Sequence, residues 1–187
     1  LYQFAYNSDN YGVLLNDPTT GATVSIDAGD ASVIQQALAE KGWTLTDVWI
    51  THHHWDHTDG LAEIVRSTGA KVRGPDGVKG VDQVIEGGDT FSFAGRSVKV
   101  IHTPGHTLDM LNFYLASENI VFTGDTLFVM GCGRLFEGSA AQMWDGLQKL
   151  MKLPEDTMIY CAHEYTLANA AFAISVDPDN DDLINRV

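Results

Sequence analysis

The sequence predicts an α+β fold in which two mixed β-sheets pack together and helices lie outside them. Short β-type runs recur along the chain with helical segments between them, and several of these runs are apolar enough to need covering on both faces. The chain has 187 residues, of which 44% are hydrophobic and 19% charged, enough for one domain with a sizeable core. We therefore expect a single domain over residues 1–187.

The first part of the chain predicts an antiparallel β start, then a helix and a buried strand. Three β-type runs come first, at 1–5, 11–16 and 22–27. Residues 31–41 carry apolar side chains on one helical face, and Gly42 follows where such a helix ends. The short strand 48–50 leads directly into a cluster of histidines, which we expect in a loop.

The middle of the chain is rich in strands. A helix is predicted at 61–67, and six strands follow it, at 70–73, 81–85, 90–93, 97–102, 111–115 and 120–123. Ser139 and Gln142 have the spacing of a capping box, and the amphipathic helix that they begin ends at Pro154. A strand at 157–161 and a helix at 167–175 complete the predicted elements.

The acidic balance of the chain narrows the classes of partner. There are 25 Asp and Glu residues against 11 Lys and Arg, which gives a formal net charge of -14. Such a charge repels phosphate backbones and anionic membrane surfaces, and no apolar run approaches the roughly 20 residues of a membrane span. We expect neither a nucleic-acid partner nor a membrane partner. The sequence leaves the oligomeric state open.

The number of cysteines indicates the redox state of the cellular compartment in which the protein works. Cys132 and Cys161 are too few for a disulfide framework, although two could form one bridge. The start of the chain also lacks the pattern of a signal peptide. Free thiols are typical of a reducing compartment, so we expect a cytoplasmic location.

Four residues of metal-ligand type fall within six positions directly after the strand 48–50. The segment is His-x-His-x-Asp-His, and its members are His52, His54, Asp56 and His57. A loop turns alternate side chains in different directions, so the first two can face one metal while the last two face a neighbouring one. The alternative is a histidine-rich surface loop or the remnant of a tag, but a tag lies at a terminus. The pattern therefore predicts a metal site.

Three further residues of ligand type follow predicted strands. His106, Asp125 and His163 each lie beside a glycine or another small residue, where the backbone can turn into a shared cleft. Taken alone, each has an ordinary explanation, such as a turn cap for Asp125 or a buried structural histidine for His163. Together with the first cluster, they predict the remaining ligands.

With these residues in place, the chain resembles the metallo-β-lactamase superfamily and, within it, the glyoxalase II (hydroxyacylglutathione hydrolase) family. The resemblance covers nearly the whole chain. The segments that carry it are THHHWDHT at 51–58, FTGDTLF at 122–128, GCG at 131–133 and HEYT at 163–166. It implies an αββα sandwich, the metallo-β-lactamase fold, with a two-metal hydrolytic site. It also implies S-(2-hydroxyacyl)glutathione thioesters as substrates, with S-lactoylglutathione giving lactate and glutathione.

The resemblance also implies a ligand for each metal. The first metal would be held by His52, His54 and His106, the second by Asp56, His57 and His163, and Asp125 would bridge the two. A bridging carboxylate agrees with the need to offset repulsion between metals ~3.5–4 Å apart. We expect two divalent ions and name zinc, with iron and manganese as alternatives, because imidazole with carboxylate suits all three.

The expected chemistry needs no serine or cysteine nucleophile. Water between two divalent ions ionises near a pKa of ~7, so the nucleophile would be a metal-bridging hydroxide that attacks the thioester carbonyl. Asp125 and Asp56 are the expected catalytic residues: the first holds both metals, and the second orients the nucleophile or takes its proton. His53 is not expected to be a ligand, and we predict that its side chain points away from the cleft.

The substrate contacts are less complete than the metal ligands. The candidates are Arg134, Phe136 and Tyr165, with Phe136 where members of the family often carry Tyr. Family members usually continue into a C-terminal helical part whose basic residues grip the glutathione carboxylates. This chain ends at Val187, so we expect that substrate-binding part to be absent. Asp109 and Met110 likewise stand where the family often has Gly and His.

Three other functions stay open at this point. The same two-metal site could serve a lactonase or a phosphodiesterase, because fold and ligands do not fix the substrate. The chain could also be a catalytically weak metal-binding core. A persulfide dioxygenase with one iron would need fewer ligands, and the full set argues against it. Cys132 lies between two glycines, where a thiol could reach the cleft, but we expect it to be a packed loop residue.

Overall fold

The computed structural model describes residues 1–187 and contains most of the predicted elements. The strands are β1 (Tyr2–Tyr6), β2 (Asn10–Asn16), β3 (Thr23–Ile26), β4 (Asp47–Trp49), β5 (Lys71–Gly74), β6 (Gln83–Val84), β7 (Thr90–Phe93), β8 (Arg96–His102), β9 (Leu111–Leu115), β10 (Ile120–Gly124), β11 (Leu127–Phe128), β12 (Gly131–Cys132) and β13 (Met158–Cys161). The helices are α1 (Ala31–Lys41), α2 (Trp55–Thr58), α3 (Leu61–Thr68), α4 (Ala140–Leu150), α5 (Thr166–Val176) and α6 (Asp181–Arg186).

The strands form two mixed sheets, as predicted. The N-terminal sheet has the order β1-β2-β3-β4-β5-β6; it is antiparallel from β1 to β3 and parallel from β3 to β6. The C-terminal sheet has the order β13-β10-β9-β8-β7, and only its β10–β13 pair is parallel. The strands β11 and β12 form a separate hairpin.

Alternating side chains along the strands produce the layers. In β4, Val48 faces the helices α1 and α3 while its neighbour Trp49 faces the other sheet, because successive residues of a strand point to opposite faces. The Trp49 ring lies edge-on to Phe91 and Phe93, with ring centroids 5.0 and 5.2 Å apart. On the far side of the C-terminal sheet, α4 contributes Leu150 to a third apolar cluster. The result is the expected αββα sandwich.

The helix boundaries at Gly42 and Ser139 confirm their sequence signals, and Asp30 is an N-cap that was not predicted. Asp30 begins α1 by accepting hydrogen bonds from the backbone N–H groups of Ser32 and Val33, and Gly42 ends it with a φ of 67°. Ser139 and Gln142 form the predicted capping box at the start of α4.

The strand ends that carry polar residues meet at one edge of the sandwich. The strands β8, β10 and β13 run in the same direction, since β8 and β10 are both antiparallel to β9 and β13 is parallel to β10. The Leu111 N–H at the start of β9 donates a hydrogen bond of 2.8 Å to the Thr51 carbonyl, just after β4. This bond joins the two sheets at that edge, so the loops after β4, β8, β10 and β13 lie together.

Some local predictions are wrong. The histidine cluster does not lie wholly in a loop, because Trp55–Thr58 forms the short helix α2. The strand expected at 81–85 is reduced to β6, an edge strand of two residues. The hairpin β11–β12 and the helix α6 were not predicted from sequence. Elements this short show no hydrophobic periodicity, so the local sequence gives no signal for them.

The C-terminal helices differ from the rest of the molecule in their exposed apolar surface. Leu167 and Phe172 in α5 are 83% and 67% exposed, and only Ala170 of that helix is buried. Among all six helices, none combines the length and the apolar character that crossing a membrane requires.

Candidate metal centre

All seven residues predicted as ligands meet at the shared edge of the two sheets. His52, His54, Asp56 and His57 come from the segment after β4; His106 follows β8, Asp125 follows β10, and His163 follows β13. Four separate parts of the chain, far apart in sequence, therefore contribute to one cluster.

The seven residues divide into overlapping groups whose ligand atoms lie within 4.8 Å of one another. One group is His52, His54 and His106, and another is Asp56, His57 and His163. These are the two sets that the resemblance assigns to two separate metals. A third group, His52, His57 and Asp125, connects them.

Asp125 lies between the two sets. Its Oδ2 atom is 3.2 Å from His106 Nε2 and 3.3 Å from His163 Nε2, and its Oδ1 atom is 3.4 Å from His57 Nε2. One carboxylate is thus within reach of nitrogen atoms from both groups, which is the placement expected of a bridge between two ions.

The Asp27 carboxylate holds the segment after β4 that carries four of the ligands. Its carboxylate accepts a 2.7 Å hydrogen bond from the Thr51 N–H and a 2.9 Å bond from the Thr51 hydroxyl, and it lies 2.8 Å from His57 Nδ1. The Thr51 hydroxyl is in turn 3.0 Å from His52 Nδ1. These contacts fix the ring orientation of two histidines, as carboxylate–histidine pairs do in metal sites.

Other partners hold the second group. Asp9 Oδ1, in the turn between β1 and β2, is 2.8 Å from His163 Nδ1. The Asn10 side-chain amide donates a 2.9 Å hydrogen bond to Asp56 Oδ2, and the Tyr6 hydroxyl donates to the Asp56 carbonyl. His163 Nε2 and the Asp56 carboxylate still face the cluster, where they lie 3.5 Å apart.

Burial and charge act in opposite directions on the cluster. Burial, with His57 nearby, lowers the pKa of His52 well below its usual value. Burial also acts to lower the pKa of His57, but the carboxylates of Asp27 and Asp125 outweigh it and raise that pKa well above the usual value. Burial opposes ionisation of Asp125, yet the neighbouring imidazole groups of His163 and His57 hold its pKa well below its usual range. A neutral His52 and an anionic Asp125 are the forms that bind a divalent ion.

The cluster contains buried polar atoms that no protein group satisfies. His52 Nε2, His57 Nε2 and Asp125 Oδ1 are each buried without a hydrogen-bond partner. An unpaired polar group of this kind costs about 1–3 kcal/mol. Because these atoms face one another within the cluster, divalent cations would satisfy them together, and the residues fit a two-ion site.

A cleft of about 830 Å³ opens over the cluster. The predicted substrate residues Arg134, Phe136 and Tyr165 all line it. The Phe136 ring lies edge-on to the rings of His54 and His106, at 5.5 and 5.2 Å between centroids. The Tyr165 ring stacks on His163 at 5.1 Å, and its hydroxyl donates a 3.3 Å hydrogen bond to Asp9. Two aromatic residues of the rim of the cleft, Phe136 and Tyr165, thus contact the metal ligands directly.

Close packing beside the cluster explains one glycine. A Cβ atom on Gly133 would lie 2.0 Å from the Asp125 carbonyl oxygen and 3.0 Å from His106 Nδ1. No side chain fits in that space.

The adjacent Cys132 is exposed and lines the cleft, so the expectation that it is a packed loop residue is wrong. Gly133 allows the backbone to pass near the ligands, while the neighbouring Cys132 thiol lies at the surface.

Sequence reasoning missed the residues that support the ligands, namely Tyr6, Asp9, Asn10, Asp27 and Thr51. A signal for Asp27 exists, because it directly follows β3, which is parallel to β4, and the ends of neighbouring parallel strands lie close together. Its φ of 61° is a left-handed conformation that Asp tolerates better than most residues. Asp9 and Asn10 carry no comparable local signal.

An αββα sandwich with histidines and carboxylates gathered at one sheet edge defines a metal-dependent hydrolase. In agreement, the sequence model of the metallo-beta-lactamase superfamily matches residues 10–80 and 74–163. Proteins named hydroxyacylglutathione hydrolase in Brucella ovis and Brucella abortus are 50% identical over 188 residues, which covers 98% of this chain and 73% of theirs. The chain belongs to the hydroxyacylglutathione hydrolase family of the metallo-β-lactamase superfamily.

Two solved structures are also similar to this chain. The crystal structure of ETHE1 from Myxococcus xanthus is 34% identical, with a TM-score of 0.80 over 88% of this chain and 75% of that one. The structure of TTHA1623 in a di-iron-bound form is 22% identical, with a TM-score of 0.76 over 88% of this chain and 92% of that one. The second likeness shows the shared fold.

Proposed function

We propose that this chain hydrolyses S-(2-hydroxyacyl)glutathione thioesters, with S-lactoylglutathione giving lactate and glutathione. The observation that carries the proposal is the pair of ligand groups that share Asp125 at the floor of an open cleft. The name of the Brucella relatives supports the substrate class.

We assign the seven ligands to two ions. The first ion would be held by His52, His54 and His106, the second by Asp56, His57 and His163, with Asp125 between them, as their grouping in space supports. Zinc is the metal that we propose, and iron and manganese are the alternatives to test, since TTHA1623 is a protein of the same fold with two irons.

Bound divalent ions supply Lewis acidity at the carbonyl oxygen and lower the pKa of water so that it can attack the acyl carbon. The protein's own residues set the geometry of this step. Asp56 is held by Asn10 and Tyr6, so its carboxylate faces the floor of the cleft and can orient the attacking water or accept its proton. The C–S bond then breaks and glutathione leaves as a thiolate. A thiolate is a good leaving group, so no strong general acid is required.

The rim provides the proposed substrate contacts. Arg134 is the only Lys or Arg among the residues that line the cleft, so we assign it to a carboxylate of the glutathione moiety. Tyr165 presents its hydroxyl beside Asp9, and Phe136 offers an apolar ring without the hydroxyl that family members often have there. We also propose a reducing, cytoplasmic location, which the two free cysteines support.

The test is a comparison of substrates on metal-loaded protein. We expect turnover of S-lactoylglutathione, with glutathione release measured by thiol detection, and slower turnover of a simple lactone and a phosphodiester. A matched control is protein treated with a chelator and then reloaded with zinc, iron or manganese. Strong turnover of only the lactone or the phosphodiester would overturn the thioesterase proposal. No turnover at about two metals per chain would favour a catalytically weak metal-binding core.

A further inference from the structure

His53 lies between two proposed ligands in sequence but points away from their cluster. Its Nδ1 atom is 3.0 Å from Asp109 Oδ2, and its Nε2 atom is 3.3 Å from Glu137 Oε1. The prediction that this side chain leaves the cleft agrees with these contacts. The function proposed above gives His53 no role.

The contacts of His53 connect three loops that meet at the cleft. We define them as the metal loop (residues 51–58), the His106 loop (residues 103–110) and the rim segment (residues 134–138). Asp109 belongs to the His106 loop and Glu137 to the rim segment. Glu137 Oε2 also accepts a 2.7 Å hydrogen bond from the Leu108 N–H. His53 and the two carboxylates together are called the His53 bridge below.

The rim segment is tied to the His106 loop by several other bonds. Phe136 N–H donates to the His106 carbonyl at 3.2 Å, Gly138 N–H donates to the Gly105 carbonyl at 3.0 Å, and the Arg134 carbonyl is 2.9 Å from His106 Nδ1. By contrast, the contact between His53 and Glu137 is the only polar contact between the rim segment and the metal loop. This contact is the direct polar link between the rim segment and the metal loop, in addition to the packing of Phe136 on His54 and the contact of His106 with His54.

The ligand-type atoms of His53, Asp109 and Glu137 lie within 4.8 Å of one another, but the group is largely exposed and its contacts join separate loops, so we interpret it as a bridge. The two nitrogen atoms of an imidazole ring point in different directions, and here each faces its own carboxylate. The His53 side chain is also 43% exposed, unlike the buried His52 and His57. Asp109 supplies one of the two carboxylates of the bridge, and Glu137 supplies the other.

We propose that His53 is a positioning residue that sets the rim segment, with Arg134 and Phe136, at a fixed place relative to the metal loop. This inference rests on the proposed thioesterase function. The glutathione part of the substrate contacts the rim while its acyl carbon must reach the floor of the cleft. Loss of the bridge therefore weakens substrate binding more than it slows the reaction of substrate that is already bound.

The first test separates KM from kcat. We expect His53→Ala to raise KM for S-lactoylglutathione about five- to tenfold while kcat stays within about twofold and metal content is unchanged. Asp109→Gly should raise KM in the same direction, and Asp109→Asn, which keeps an oxygen near Nδ1, should recover most of the loss. Glu118→Gln, which alters an ion pair with Arg96 outside the cleft, is the matched control. An unchanged KM in His53→Ala, or a loss of metal with a matching fall in kcat, would overturn the proposal.

The second test needs no substrate. Hydrogen exchange of the Leu108 amide reports the state of the bridge, because this amide donates its hydrogen bond to Glu137, one of the two carboxylates that His53 holds. We expect exchange at least about threefold faster in His53→Ala than in the wild type, with no change in Glu118→Gln. If the wild type does not cleave S-lactoylglutathione, the thioesterase proposal fails, yet this exchange still decides the bridge. Equal exchange rates in both proteins would refute it.

Discussion

The metal cluster and the rim of the cleft are neighbours, but they are held in place very differently. His52 and His57 are fully buried, and Asp27 and Thr51 fix their rings. Phe136 on the rim is 63% exposed and Tyr165 is 37% exposed. The cluster is thus determined by the packing of two sheets, while the rim depends on a few loop contacts. We conclude that changes at the cluster should abolish the chemistry, whereas changes at the rim should adjust substrate affinity.

Asp125→Ala should have the largest effect, because it removes the one carboxylate between the two ligand groups. We expect fewer than two metals per chain and a fall in kcat of roughly 10³-fold or more, from the loss of several kcal/mol of charge stabilisation. Elemental analysis and the thioester assay measure both quantities. Asp145→Ala, an exposed carboxylate of α4, is the control. Two metals retained in Asp125→Ala would contradict its bridging role.

Lower pH should weaken metal binding at the cluster. In the metal-free protein, burial alone would lower the pKa of His163, but Asp125 and Asp9 raise it, and the pKa of His57 is raised as well. A metal must displace these protons, so below the raised pKa values affinity should fall about tenfold per pH unit for each proton released, and it should level off above them. Chelator competition at several pH values measures the slope, and calorimetry in two buffers counts the protons. A pH-independent affinity would show that neither histidine is protonated in the metal-free protein.

Asp27→Ala should come next, since it removes the carboxylate that orients His57 and Thr51. We expect metal affinity to fall about 10–100-fold, as for other residues that support metal ligands. Titration with a chelator measures this change. Asp47→Ala, which breaks an ion pair with Arg73 at the opposite end of β4, is the matched control and should keep its metal affinity. Equal affinities in both variants would remove Asp27 from the site.

Arg134→Ala tests the rim. We expect KM for S-lactoylglutathione to rise about tenfold and kcat to stay within about twofold, because a charged hydrogen bond to substrate is lost without a change at the metals. Arg134→Lys should give an intermediate KM, since it keeps the charge but not the two-pronged geometry. Steady-state kinetics decide the matter, and an unaltered KM in Arg134→Ala would exclude a substrate contact.

Phe136→Tyr should have the smallest effect and the opposite sign. The ring is exposed at the rim, so an added hydroxyl meets no packing barrier and should change stability by no more than about 0.5 kcal/mol. We expect KM to fall about two- to threefold through one new hydrogen bond to substrate. Phe136→Leu serves as the control and should not lower KM. A higher KM in Phe136→Tyr would mean that the apolar ring itself binds substrate.

The placement of the ligands was predicted from sequence better than the placement of their supports. Strand ends next to glycine or another small residue, as at Asp125 and His163, carry a local signal because a chain that leaves a sheet there must turn. The support residues have no such signal. Asp9 meets His163 across 154 positions of sequence, and Asn10 meets Asp56 across 46. Only the neighbour relations of the strands bring such positions together.

The sequence by itself determined the layers, the ligand types and the family of this protein. Periodicity reports locally which face of a strand or helix is buried, and a dense run of histidines with aspartate has few structural alternatives. The tertiary structure alone decided that Asp9 and Asp27 orient histidines and that His53 connects the metal loop to the rim. Each of these depends on how separate loops meet at one edge of the sandwich, which follows from the pairing and packing of both sheets rather than from any single segment.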